Sequence, residues 1–85
     1  MKEKIFLRSQ ANKLEPVLRI GKSGLTLGML KEIEKLLEKR KLIKIKMLQS
    51  SFVGNDKQMF IDEIVMKTQA ELIESVGNVI VLHRK

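Results

Sequence analysis

Cysteine is absent from the chain, and so are tryptophan and tyrosine. Without cysteine there is no disulfide, no thiolate metal site and no thiol nucleophile, and a reducing compartment is the expected setting. The one histidine, His83, has no cysteine partner for a metal and no serine in a triad arrangement, so neither a zinc centre nor a nucleophilic hydrolase is expected. Aromatics are limited to Phe6, Phe52 and Phe60, too few for a row of platforms on which single-stranded bases stack. Long apolar runs are missing as well. No stretch reaches the length of a membrane span, and Met1-Lys2-Glu3-Lys4 leads into only three apolar residues before Arg8, short of a signal-peptide centre. A cytoplasmic protein is expected.

What is present is charge. The 85 residues carry 17 Lys and Arg against 10 Asp and Glu, a net charge of +7. On a body of one domain, residues 1–85, that field favours polyanionic partners. An apolar content of 44% beside 32% charged residues fits a folded domain with one modest core. Glu32, Glu34 and Glu38 stand among lysines at helical spacing and read as ion pairs, not as acid–base catalysts. No enzyme, metal or cofactor is expected.

The hydrophobic pattern orders the chain. Lys4 to Leu14, with Ile5, Leu7, Ala11 and Leu14, suits a short helix with one narrow apolar face, ended by Pro16. Val17 to Ile20 reads as a strand. Leu25 to Arg40 is the clearest helix, with Met29, Leu30, Ile33, Leu36 and Leu37 inward and mixed charge outward. Leu42 to Leu48 alternates, with Ile43, Ile45 and Met47 on one side and Lys44 and Lys46 on the other, as in a strand with one buried face. After a loop over Gln49 to Asn55, a helix capped by Asn55 or Asp56 carries Phe60, Ile61, Ile64, Val65 and Thr68. Leu72–Val76 and Val79–Leu82 form a hairpin around Gly77-Asn78. The order α-β-α-β-α-β-β gives an α/β domain of two or three layers: three helices and a mixed four-stranded sheet, with parallel strand–helix–strand units and an antiparallel end.

Between the first strand and the second helix stands Gly21-Lys22-Ser23-Gly24. Glycines reach backbone angles closed to other residues and let a ligand approach. The helix that follows offers unpaired N–H groups and a positive dipole end, a site suited to phosphate. Lys22 adds charge, and Ser23 and Thr26 add hydroxyls. Loops of the GxxG form clamp nucleic-acid backbone in KH domains, whereas a short strand-to-helix connection uses glycine for its turn alone. The end of a Walker A loop has the same Gly-Lys-Ser, but that motif needs a glycine where Pro16 stands and an acidic strand end for magnesium. Lys44 and Lys46 extend the phosphate track if their sheet face is open, and only snorkel at its rim if a helix covers it. Further basic groups are Lys39-Arg40-Lys41 and His83-Arg84-Lys85. With so few aromatics, recognition of structured RNA by backbone and shape is expected.

Leu14-Glu15-Pro16-Val17, Ile20-Gly21-Lys22-Ser23-Gly24-Leu25-Thr26, Ile33-Glu34, Leu42-Ile43-Lys44-Ile45-Lys46 and Val79-Ile80-Val81-Leu82-His83-Arg84 together resemble the CRM domain (chloroplast RNA splicing and ribosome maturation) along nearly the whole chain. The resemblance implies a fold similar to the C-terminal domain of translation initiation factor three. It also implies RNA binding through Gly21, Lys22, Ser23 and Gly24, with Lys44 and Lys46 at strand positions that are basic in the family. Thr26 and Arg84 complete the expected RNA-binding set. A single-domain chain is similar to members associated with large ribosomal subunit precursors, so ribosomal RNA or a pre-ribosomal particle is the expected partner of a monomer. The chain departs from the family at Arg19, where an apolar residue is expected, and in Gln49–Asn55. The other reading is a protein-interaction adaptor, with an apolar patch around Phe52, Val53 and Met59.

Overall fold

The structure is a computed structural model that describes residues 2–21, 24–48 and 57–84. Helix α1 spans Lys2–Ala11. It stops before the expected Leu14, because the bond pattern tightens after Asn12 N–H meets the Arg8 carbonyl (3.0 Å). Lys13 N–H then pairs with the Gln10 carbonyl (3.1 Å) and Leu14 N–H with that of Ala11 (2.9 Å). Strand pairing takes over where the helix ends: Val17 N–H donates to the Lys44 carbonyl at 2.9 Å.

Strand β1, Leu18–Ile20, lies parallel to β2, Leu42–Met47, with Leu18, Arg19 and Ile20 opposite Ile45, Lys46 and Met47. The crossover between them is α2, Leu27–Arg40. It starts on an N-cap, Thr26, whose Oγ1 accepts from Met29 N–H at 3.1 Å, and closes on Lys41 in the left-handed region at φ +64°. Helix α3, Lys57–Thr68, leads to β3, Glu71–Val76, and β4, Val79–His83. The expected caps Asn55 and Asp56, and the loop before them, lie outside the described residues. Gly77, at φ +59°, turns β3 into β4 in two residues, a conformation that glycine takes without a steric clash.

The sheet order is β1-β2-β4-β3. A strand–helix–strand unit predicts β3 beside β2. Instead β4 sits between them, antiparallel to both, with Leu42 to Lys46 facing His83 to Val79. The two-residue hairpin fixes β4 against β3, and β4 is buried on both faces: Ile80 and Leu82 join Ile43 and Ile45 in the main core, while Val81 faces the other way.

Three layers result. Ile20, Ile43, Ile45, Met47, Ile80 and Leu82 point to one face and bury against Ile33 and Leu37 of α2 and Ile61 and Ile64 of α3. Thr68 is buried among them because its hydroxyl donates to the Ile64 carbonyl at 2.7 Å. On the other face a smaller cluster of Ala11, Ile73 and Val81, with Leu7 and Leu42, holds α1. A bulge in β3 sets Ile73 and Glu74 against Val81 alone. It turns Ile73 under α1 and leaves its carbonyl 3.5 Å from Arg8 Nε. The apolar stripe expected along α1 is correspondingly narrow: Ile5 and Phe6 remain exposed.

Candidate nucleic-acid interface

The C-terminal ends of β1 and β2 and the β3–β4 turn meet at one edge of the domain. Leu48 N–H donates to the Ile20 carbonyl (2.9 Å) and Met47 N–H to that of Asn78 (2.7 Å). Gly21 leaves β1 at this edge, and Gly24 N–H returns to the Gly21 carbonyl at 2.9 Å. The two glycines differ in what they require. Gly24 sits at φ +68°, where a side chain is strained. At Gly21 an added Cβ would meet only Leu48 Cδ1, at an ordinary 3.7 Å. Lys22 and Ser23, expected between them, lie outside the described residues.

Two residues past Gly24, Thr26 opens α2. Its side-chain oxygen is engaged by Met29 N–H, so one of the unpaired donors of the helix start is already satisfied. The start of that first turn faces solvent: Leu27 and Gly28 are exposed, while Met29 packs on the core, and no acidic residue stands in the turn to offset its positive end.

The two strand lysines part ways. Lys46 is exposed beside the loop, while Lys44 is half-buried and donates to the Leu14 carbonyl at 3.3 Å. Their face is therefore covered by α1 at Lys44 and open at Lys46. Arg84 is not with them. It follows β4 at the opposite edge, next to the start of β2, where its backbone N–H meets the Lys41 carbonyl (2.9 Å) and its guanidinium donates to the Thr68 carbonyl. The structure thus gathers Gly21, Gly24, Thr26 and Lys46 at one edge, with Lys44 one step inside.

One further cation stands at this edge, at the position where the chain departs from the family resemblance. Arg19 is exposed and stands directly opposite Lys46. The signal was local: a charged residue between two apolar ones in a strand must face away from the layer that buries them.

At the far edge, Gln69, Ala70, Glu71, His83 and Arg84 line a hollow of about 510 Å³. His83 is mostly buried there, its Nδ1 3.5 Å from Glu71 Oε1 and without a hydrogen bond. Among the described residues no three His, Cys, Asp or Glu side chains cluster to hold a metal, and no helix is long and apolar enough to cross a membrane. Of the apolar patch expected for a protein partner, Met59 is exposed on α3, whereas Phe52 and Val53 lie outside the described residues.

Comparison with known proteins gives one consistent pattern. The CRS1 / YhbY (CRM) domain model matches residues 1–84. The protein named Probable RNA-binding protein YqeI from Bacillus subtilis is 38% identical over 84 residues, covering 99% of this chain and 85% of the relative. An RNA-binding protein of Haemophilus influenzae is 40% identical over 83 residues, covering 98% of this chain and 82% of the relative. The solution structure of a Staphylococcus aureus protein, put forward there as an RNA-binding protein, superposes with a TM-score of 0.80 at 38% identity. It covers 99% of this chain and 85% of its own.

Proposed function

The chain belongs to the CRS1 / YhbY (CRM) domain family, and from that membership we propose that it binds structured ribosomal RNA on precursors of the large ribosomal subunit in the cytoplasm. The observation that carries the reading is the placing of the glycine turn, the open start of α2 and Lys46 at one edge of the sheet. A phosphate seated there takes hydrogen bonds from backbone N–H groups at the positive end of α2. Lys22 and Ser23 supply charge and a hydroxyl from the loop, and Lys46 holds the backbone as it leaves. The net charge of +7 steers the RNA to this edge. Sequence is read weakly by such contacts, since phosphate contacts position and base contacts specify. Folded RNA, with its fixed backbone shape, is the ligand this edge suits.

The test is binding to large-subunit ribosomal RNA fragments across a salt series, comparing the wild type with a Lys22→Ala, Ser23→Ala variant of equal thermal stability. Each phosphate contact contributes about −0.7 to −0.9 to the slope of log affinity against log salt. Weaker binding with a shallower slope supports the loop as the phosphate clamp. Equal binding by both proteins reduces the loop to a turn and moves RNA contact to another surface, and absence of binding by both favours a protein-docking role.

A further inference from the structure

Arg19 and Lys46 are neighbours across the parallel pair of β1 and β2, on strands about 4.8 Å apart. Ile20, Ile45 and Met47 alternate with them into the main core, so both cations project from the opposite face. That face belongs to α1 only in part. Helix α1 sits on Val81, Ile73 and Leu42, and its trailing turn is tied down at Lys44. One register step further, the row Arg19, Lys46, Val79 and Val76 crosses all four strands. Arg19, Lys46 and Val76 are exposed, and Val79 is half-buried.

Like charges directly opposite each other across two strands destabilise a sheet. No carboxylate answers this pair among the described residues: the ion pairs there join Arg8 to Glu74, Lys67 to Glu63 and His83 to Glu71. The fold thus carries a repulsion that an anion would relieve.

We propose that Arg19 and Lys46 form a second phosphate clamp, on the open part of the α1-side sheet face, for the same RNA strand that the glycine loop holds. The proposal rests on the RNA reading above and extends it to a residue and a surface outside the loop. Arg19 precedes Gly21 by two residues, about 6.6 Å along an extended strand, so the backbone passes from the loop to the clamp without leaving the protein. The row continues in Val79 and Val76. These two valines, with Asn12, Lys44, Glu74 and Val81, line a shallow hollow of about 340 Å³. A cationic half next to an apolar half suits a nucleotide, phosphate on one side and sugar and base on the other, better than a bare inorganic anion. The guanidinium adds a planar fork that a phosphate fits with two hydrogen bonds.

The experiment compares wild type, Arg19→Gln, Lys46→Gln, the double variant and the Lys22→Ala, Ser23→Ala loop variant for binding to one ribosomal RNA fragment across salt, with thermal stability measured without RNA. Arg19→Gln is expected to weaken binding several-fold and to lower the salt slope by about one. Its melting temperature without RNA stays equal or rises, because a repulsion is removed. The double variant loses less than the sum of the single ones, since the two cations share one phosphate. Arg19→Lys keeps most of the slope. Wild-type affinity and slope in Arg19→Gln, together with lost binding in the loop variant, overturn the clamp and leave the RNA reading standing. Absence of RNA binding by the wild type overturns both.

Discussion

The Arg84 guanidinium donates a hydrogen bond to the carbonyl of Thr68, the last residue of α3, and its backbone N–H does the same for Lys41, the C-cap of α2. One residue therefore closes the C-terminal ends of both core helices, where carbonyls lack intrahelical partners and a positive charge is favoured.

Arg84→Ala is expected to lower stability by about 1 kcal/mol, a charged hydrogen bond discounted for partial exposure. Urea unfolding would show this as a lower midpoint with an unchanged slope. The dependence of RNA binding on salt should stay that of the wild type, because Arg84 stands at the edge away from the glycine loop. A slope reduced by about one with stability intact would instead make Arg84 an RNA contact.

Lys41 and Gln69 end their helices with φ at +64° and +55°. A side chain pays about 1–2 kcal/mol in that region, and glycine escapes the clash while losing about 0.5–1 kcal/mol of chain entropy. Lys41→Gly and Gln69→Gly should each raise stability by about 0.5–1 kcal/mol, read as a higher denaturation midpoint. A lower midpoint for both would mean that their side chains matter more than their backbone angles.

Thr26 stands between the glycine loop and α2 and spends its oxygen on Met29 N–H. Thr26→Ala should cost about 1 kcal/mol, and Thr26→Ser or Thr26→Asp should recover most of it. Amide exchange at Met29 and Leu30 would be faster in the alanine variant. If stability is unchanged and only RNA affinity falls, the hydroxyl serves the ligand and not the helix.

Local periodicity carried most of the element map. The alternation from Leu42 to Met47, the stripe of Ile33 and Leu37, and the Gly77-Asn78 turn are each decided by neighbours a few residues apart, and the structure has them as expected. The place of β4 between β2 and β3 was not legible, because it depends on which distant strand matches Ile43 and Ile45 face to face. The stop of α1 at Ala11 follows from the pull of β2 on Leu14 and Val17, again a long-range effect. For the site, residue types named the glycine turn and Lys46. The separation of Lys44 from Lys46, and of Arg84 from both, follows from where α1 lies and which way β4 runs. Arg19 gains its meaning only from the register that puts it opposite Lys46.

The central position of β4 also governs how the chain comes together. Strand β2 has a partner on only one side until all of α3 and β3 have been made, and the isoleucine face of β2 needs β4 and both helices to leave water. Pairings of such sequence separation slow folding, because the loop must close before its contacts reward it. A chain extended only through β2 has α2 to pack on Ile43 and Ile45 but lacks α3 and β4, so β2 presents an unpaired strand edge beside a half-built core, the kind of edge that recruits other strands. Lys44 and Lys46 alternate with those isoleucines on the opposite face of the strand, and lysines on an exposed strand are charges of the kind that disfavour addition of a foreign strand.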